Sequence, residues 1–320
     1  MKIGVFDALF KDLPLPDMLD LLVSAGLDAV ELGTGNYPGA SHIDVDRLLE
    51  SKQEREAYLK EFTGRNLIIS ALSCHGNPLH PNRDLARRHD ETYRKTVRLA
   101  QGLGVPVVCL FSGCPGGGPE DRHPNWVTSA WPPDFPAILN WQWQEVVIPY
   151  WQEAGRFAAD HGVKLAFEMH PGFVVYNPET LTRLRAAVGP VVGANLDPSH
   201  LFWQGIDPVA AIKALETSIY HVHAKDTAID AQNTAVNGVL DTKSYADVVH
   251  RSWIFRTVGY GHSLLDWRNI VSALRAVGYD YVLSIEHEDA LASINEGFSK
   301  AVAFLRECVL SEEPSQAWWV

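Results

Sequence analysis

Residues 165–197 read LAFEMHPGFVVYNPETLTRLRAAVGPVVGANLD, and their rhythm decides the fold. An apolar run at 165–170 gives way to a polar turn. A helical stretch then begins near Pro178, and a second apolar run follows at 192–197. Two short buried runs separated by a helix predict parallel strands, because a parallel pair needs a crossover of at least a dozen residues.

The same unit recurs in both directions. Toward the N-terminus, apolar runs occupy 3–10, 29–33, 68–75 and 107–112, with helical stretches at 15–25, 44–65, 84–103 and 139–160. Toward the C-terminus, runs at 219–224 and 281–286 alternate with a helix after Asp207-Pro208 and helices at 266–277 and 292–310. Eight strand–helix units without a shift in composition predict an α/β fold, a closed (β/α)8 TIM barrel. An open doubly wound sheet would place G-x-G-x-x-G after the first strand; here that turn reads FKDLPLPD. Two segments break the rhythm, a Gly-, Pro- and Trp-rich stretch at 113–136 and another at 227–263. They are expected as long loops after strands four and seven of a single domain spanning 1–310. A tail, 311–320, follows, and its Trp318 and Trp319 are expected to dock on the barrel or a partner.

The bulk properties narrow the function. The 320 residues carry a net charge of −12, and an acidic surface repels phosphate backbones, so no nucleic-acid partner is expected. No run approaches the roughly 18 apolar residues of a membrane span, and MKIGVFDALF leads straight into a strand without a secretory signal. Cys74, Cys109, Cys114 and Cys308 form no C-x-x-C pair. A reduced, cytoplasmic location is the expectation.

In a parallel barrel the C-terminal strand ends form the rim where chemistry sits. Strand five carries Glu168 and His170 on one face, strand six ends at Asp197 with His200 just beyond, strand seven presents His221, His223 and Lys225, and strand eight presents Ser284, Glu286 and Glu288. A single acid at a strand end is commonly a helix cap or half of a rim ion pair. Three acids and an imidazole from four neighbouring strands are different, since carboxylates so close repel unless a cation joins them. Glu168, Asp197, His223 and Glu286 are therefore the expected ligands of one divalent metal. Their oxygen-rich set suits Mn²⁺, with Mg²⁺ or Co²⁺ as alternatives.

These motifs carry a resemblance. F-E-x-H (167–170), N-x-D-x-x-H (195–200), H-x-H-x-K-D (221–226), G-x-G (259–261) with Asp266-Trp267, and S-I-E (284–286) resemble, in order, the xylose-isomerase-like sugar isomerase/epimerase superfamily, which includes the ketose 3-epimerases. The resemblance covers nearly the whole chain. It implies that Glu168 and Glu286 both hold the metal and move protons, and that His200 contacts substrate. The epimerases also have an arginine shortly after the strand-seven histidine, where this chain has Lys225 and no arginine. The loop FSGCPGG and the insertion before GYGH look similar to the large subunit of C-glycoside deglycosidases. That likeness implies a lyase acting on 3-keto-glycosides with a small β-rich partner subunit. The endonuclease IV group, with its three zinc ions, needs further histidines; strand two here offers Glu31 and strand four Ser112.

The expected chemistry is proton abstraction beside a carbonyl, giving an enediolate that is epimerised, isomerised or, with a leaving group in the β position, eliminated. A non-catalytic sugar-binding barrel that keeps its metal is the rival. His200 either contacts substrate or caps the next helix, and Lys225 either faces substrate or pairs with Asp226 or Glu288. His75 faces the rim as a further substrate contact, His170 is placed to turn Glu168, and His221 and His287 read as structural. Trp126, Trp131, Trp141 and Trp143 form a pocket wall or pack their loop. Gly116–Gly118 could cradle a phosphate, although an unphosphorylated sugar or glycoside is the favoured substrate. Asp241, Arg251, Arg256 and His262 of the second insertion offer polar contacts, Arg256 among them to substrate. A homo-oligomer or a small partner subunit is expected.

Overall fold

Short runs of Val, Ile, Leu and Ala become strands here because both of their faces are covered, one by the barrel interior and one by helices. In the computed structural model, which describes every residue except 316 and 318, these runs are β1 (Lys2–Phe6), β2 (Ala29–Gly33), β3 (Ile68–Ser73), β4 (Val107–Leu110), β5 (Lys164–Glu168), β6 (Val192–Leu196) and β7 (Ile219–Ala224). Two further strands, β8 (Asp226–Ile229) and β9 (Trp253–Arg256), pair antiparallel outside the barrel, and β10 (Val282–Ile285) completes the set. The barrel closes in the order β1-β10-β7-β6-β5-β4-β3-β2. This order makes β5, β6, β7 and β10 consecutive staves, with Glu168 beside Asn195 and His223 beside Ser284.

Several strands are shorter than their apolar runs. β1 stops at Phe6 because Asp7 turns inward, accepting the Gly33 N–H at 2.8 Å and pairing with His42 at 2.8 Å. Residues 7–10 form a 3₁₀ turn instead of more strand. β3 and β4 end at Ser73 and Leu110. Past those points rim side chains capture the backbone: Asn36 Nδ2 donates to the Cys74 carbonyl and Trp151 Nε1 to the Ser112 carbonyl, each at 2.9 Å.

Two helical stretches are also divided. Residues 44–65 form Val45–Glu50 and Lys52–Thr63, broken at Ser51, whose hydroxyl accepts the Glu54 N–H and caps the second helix. Such a cap contributes about 1 kcal/mol. The stretch at 139–160 starts earlier, as Asp134–Trp141, passes through a π-helical turn at Gln142–Val147, and resumes as Ile148–Asp160. Pro149 cannot donate to the turn before it. The widened turn holds buried Gln142, whose Nε2 donates to the carbonyls of Gly116 at 2.9 Å and Asn125 at 2.7 Å, fastening the first insertion.

The second insertion is more ordered than a loop. It contains the β8–β9 pair and a helix, Ala231–Asn237. Its root is Asp226, fully buried. That carboxylate accepts from the backbone N–H groups of Gly259, Gly261 and His262, from His262 Nδ1 and from Trp267 Nε1. The G-x-G and Asp-Trp motifs are thereby explained. A Cβ on Gly261 would lie 2.2 Å from the Thr227 carbonyl oxygen, so only glycine lets the backbone approach the acid.

The core joins the apolar faces of strands and helices, with Trp143, Trp151 and Trp267 wholly enclosed. Trp143 thus packs its segment onto the barrel, whereas Trp131 is 76% exposed. All four cysteines are buried and unpaired. Among the described residues no helix is long and apolar enough to cross a membrane. The last helix, Ile294–Cys308, leads into the tail, where Trp319 is mostly exposed and Trp318 lies outside the described residues.

Candidate metal centre

The rim at β5, β6, β7 and β10 brings four side chains to one point. Glu168 is the last residue of β5, Asp197 follows β6, His223 sits within β7, and Glu286 follows β10. One donor atom from each lies within 4.8 Å of the others. His223 Nδ1 is 3.0 Å from Glu286 Oε2 and 3.4 Å from Glu168 Oε2. Glu168, Asp197 and His223 are buried, and the Glu286 side chain keeps 18% of its surface. His223 Nδ1, Asp197 Oδ2 and Glu286 Oε2 are buried without a well-formed hydrogen bond. Buried polar atoms are normally paired; these three meet one another, Glu168, His200 and Lys225, and such a convergence of donor atoms without well-formed hydrogen bonds fits a cation. Three carboxylate oxygens and one imidazole nitrogen are the donors a hard or borderline dication takes.

The other nitrogen of His223 explains why Nδ1 faces inward. Nε2 lies 3.0 Å from both oxygens of Glu31, in the middle of β2. Glu31 is fully buried and also accepts from the hydroxyls of Ser73 at 2.5 Å and Ser284 at 2.7 Å. Burial alone would raise its pKa, but His223, His221 and the Ser73 hydroxyl hold it well below the usual carboxylate range. A carboxylate behind a ligating histidine fixes its tautomer and orientation. From the sequence, Glu31 is only a strand end lacking histidine. An acid flanked by apolar neighbours in AVELG was the available signal, since a buried charge requires partners.

Positive groups surround the acids. Lys225 Nζ lies 2.8 Å from Glu286 Oε2, 3.1 Å from Asp197 Oδ2 and 3.1 Å from Glu288. Burial favours the neutral amine, yet Asp197, Glu286 and Glu288 push its pKa well above the ordinary lysine value. It does not pair with Asp226, whose carboxylate serves the hairpin. His200 Nε2 is 3.1 Å from Glu168 Oε1 and 3.3 Å from Asp197 Oδ2; His75 Nε2 is 3.0 Å from Glu168 Oε2. Against burial, the histidines 200, 223 and 75 hold Glu168 ionised, and Lys225 and His223 hold Glu286 down to about 2.

Of the other residues named from the sequence, His170, Arg256 and Gly116–Gly118 lie otherwise than expected, while His221 and His287 are structural as expected. His170 does not hydrogen-bond Glu168; its Nδ1 meets the Pro171 carbonyl and its ring lies 4.1 Å from that of His200. Burial and His200 lower its pKa to about 3, which keeps the ring neutral. His221 is enclosed between Asn195 and Ser70, and burial lowers it to about 4. His287 packs against Gly297, where an added Cβ would sit 2.0 Å from the ring. Arg256 is turned away from the ligand set; it pairs with Asp289 at 3.0 Å and covers the Tyr260 ring. Arg251 is likewise taken, stacked over Tyr245 and Trp253. The Gly116–Gly118 turn already holds an acid, because the Gly117 N–H donates to Asp121, so a phosphate cradle there is corrected to a self-contained turn. Trp126 lines a cavity beside His200.

A closed parallel barrel with a candidate metal site at its rim is the class to which this chain conforms, and the chain belongs to the xylose isomerase-like TIM barrel family, whose model matches residues 19–308. Within it, the chain is similar over nearly its whole length to the uncharacterized protein YfiH of Bacillus subtilis, 42% identical over 312 residues that cover 97% of this chain and 99% of that one. It is also 27% identical over 175 residues to an inosose dehydratase of Geobacillus thermodenitrificans; the match spans 54% of this chain and 56% of that enzyme. Among solved structures, the probable 3-DHS dehydratase AsbF of Bacillus anthracis superposes with a TM-score of 0.67 at 16% identity, covering 96% of this chain and 99% of that one. That last likeness shows the fold.

Proposed function

We propose that this chain is a divalent-metal-dependent sugar isomerase or epimerase that moves a proton next to a carbonyl. The observation that carries the reading is the convergence of Glu168, Asp197, His223 Nδ1 and Glu286, three of them with buried donor atoms that make no well-formed hydrogen bond. These four residues would hold the ion, Mn²⁺ foremost with Mg²⁺ or Co²⁺ as alternatives. Bound there, a dication supplies the Lewis acidity that polarises a carbonyl and acidifies its neighbouring C–H.

The side chains supply the rest. Glu168 and Glu286 are both ionised, the form a proton acceptor needs. One removes the substrate proton and the other returns one. Return to the same carbon from the opposite side inverts it, and return to the adjacent carbon interconverts aldose and ketose. Lys225 and His200, each within 3.3 Å of Asp197 Oδ2, stand where a substrate oxygen gaining charge would be met by a donor. His75 restrains Glu168 through its 3.0 Å contact.

A second reading is elimination of a β-hydroxyl or glycoside. It is favoured by His75 and His200 flanking Glu168, since an acid beside the base can protonate a leaving group. The similarity to inosose dehydratases supports it. A 3-keto-glycoside lyase with a small partner subunit is the remaining form of this reading, and co-purification from the native host tests it.

The test is NMR of Mn²⁺-loaded protein with ketoses, inososes and 3-keto-glycosides in D₂O. Deuterium uptake at a carbon next to the carbonyl is expected, and Glu168→Gln and Glu286→Gln should each lower its rate at least a hundredfold, within the range typical of general acid–base groups, about 10²–10⁴. Uptake that continues undiminished in both variants would sink the proposal.

A further inference from the structure

Beside the ligand set lies a cavity of about 220 Å³ built jointly by the two insertions. The first contributes Trp126; the second contributes Asp241, Tyr245 and Trp253; His200 and Trp203 complete the inner wall. None of Glu168, Asp197, His223, Glu286 or Lys225 lines it. A molecule seated wholly in this cavity therefore touches no ligand side chain, and His200 is the bridge between the two places. At about 30 Å³ per water, the space equals roughly seven waters, which suits one six-membered polyol ring.

The lining has a definite chemistry. Trp203 and Trp253 stack at 4.6 Å with planes 6° apart, and Tyr245 stacks with Phe255 at 5.7 Å. Arg251 lies over both Tyr245 and Trp253, so these rings meet the space by their edges, which make an apolar, C–H-rich wall. The indole N–H groups of Trp126 and Trp203 are buried with no acceptor. Unpaired buried donors are costly, and both rings line this cavity, where an oxygen acceptor from a ligand would satisfy either. No lysine or arginine lines the space. The one carboxylate there, Asp241, already accepts from Lys243 N–H at 2.9 Å and Ser252 N–H at 2.6 Å. Neutral donors and an aromatic wall without lysine or arginine favour an uncharged, oxygen-bearing ring over a phosphate.

We infer that the cavity is a second subsite, which holds an uncharged pyranose or cyclitol ring while another part of the same molecule reaches the acids past His200. The natural substrate is thus a two-part compound, a glycoside rather than a free or phosphorylated monosaccharide. This inference rests on the proposed function for the reacting end alone, so it is tested by binding and not by turnover. The full-length Mn²⁺-loaded chain is titrated with α- and β-linked glucose disaccharides, phenyl glucosides, fructose, glucose and glucose 6-phosphate, read by saturation-transfer NMR and calorimetry. A two-ring probe should bind on the order of tenfold more tightly than the monosaccharides, the worth of one buried hydrogen bond and ring contact, and glucose 6-phosphate most weakly. Trp203→Phe and Trp126→Phe keep a ring and remove the donor, and each should reduce the two-ring preference. Equal binding of one-ring and two-ring probes, no binding of any two-ring probe, or a preference unchanged in both variants overturns the subsite. Loss of C–H exchange with the preference intact counts against the proposed reaction and supports the subsite.

Discussion

His223 stands between two acidic sites that differ in one respect. On its Nε2 side, Glu31 is saturated by the imidazole and two serine hydroxyls and is closed from solvent. On its Nδ1 side, Glu168, Asp197 and Glu286 face one another, and one oxygen each of Asp197 and Glu286 is buried without a well-formed hydrogen bond. The same side-chain chemistry thus serves as scaffold where every lone pair is answered, and as a receptor where some are not. Burial does not separate the two, since Glu168 is nearly as enclosed as Glu31.

Substitutions on the two sides should fail in different ways. The largest effect belongs to the open side: Glu168→Gln keeps the shape, and proton exchange should fall by about 10²–10⁴ with the melting temperature within a few degrees of the parent. If exchange survives while the chain unfolds early, Glu168 is scaffold and the contrast collapses. Next, Glu31→Ala releases the imidazole, so Mn²⁺ affinity measured by calorimetry should drop by about 10–100-fold. A milder loss is expected for Glu31→Gln, which retains an acceptor. Unaltered affinity in a folded Glu31→Ala would show that His223 needs no support.

Metal itself should act on stability. Mn²⁺ at a hundred times its dissociation constant should raise unfolding free energy by about 2.7 kcal/mol, and chelator should reverse the gain. A site that is only an acid cluster would show neither. Ser284→Ala removes one of the hydroxyls on Glu31 and should cost about 1 kcal/mol in urea unfolding, with exchange nearly intact.

The smallest effect lies in the second insertion. Burial tends to raise the Asp241 carboxyl, but the N–H groups of Lys243 and Ser252 and the Lys243 ammonium hold it at about 2, below its ordinary 3.8. A depressed carboxyl adds stability that is complete above 3.8 and disappears as pH falls through about 2. Asp241→Asn should therefore melt below the parent at neutral pH and match it near pH 2. A gap that persists to the acid end would place the effect in packing.

The receptor side was legible because strand alternation carries a residue's position directly into its facing. F-E-x-H, H-x-H and S-I-E put their acids and imidazoles on one face of their strands, and parallel closure put the strands side by side. Glu31 was hidden because its partners, Ser73, His223 and Ser284, come from three other strands, up to 253 residues away in the chain. Sequence shows the acid but not who answers it. Arg256 was misplaced for a related reason: its short β9 strand pairs with β8 in a hairpin outside the barrel, where Asp289 meets it. Gln142 and the π-helical turn depend on carbonyls of a distant loop, which no local periodicity announces.

The Asp226 anchor has an evolutionary corollary. The hairpin that forms one wall of the aromatic cavity is fastened at its root by a single buried carboxylate, while Tyr245 and Trp253 lie beyond that root. Mutation can rewrite those outer positions while the fastening and the barrel staves stay as they are. The insertion is thus held at one point of the barrel and can vary its wall without altering the way it is attached.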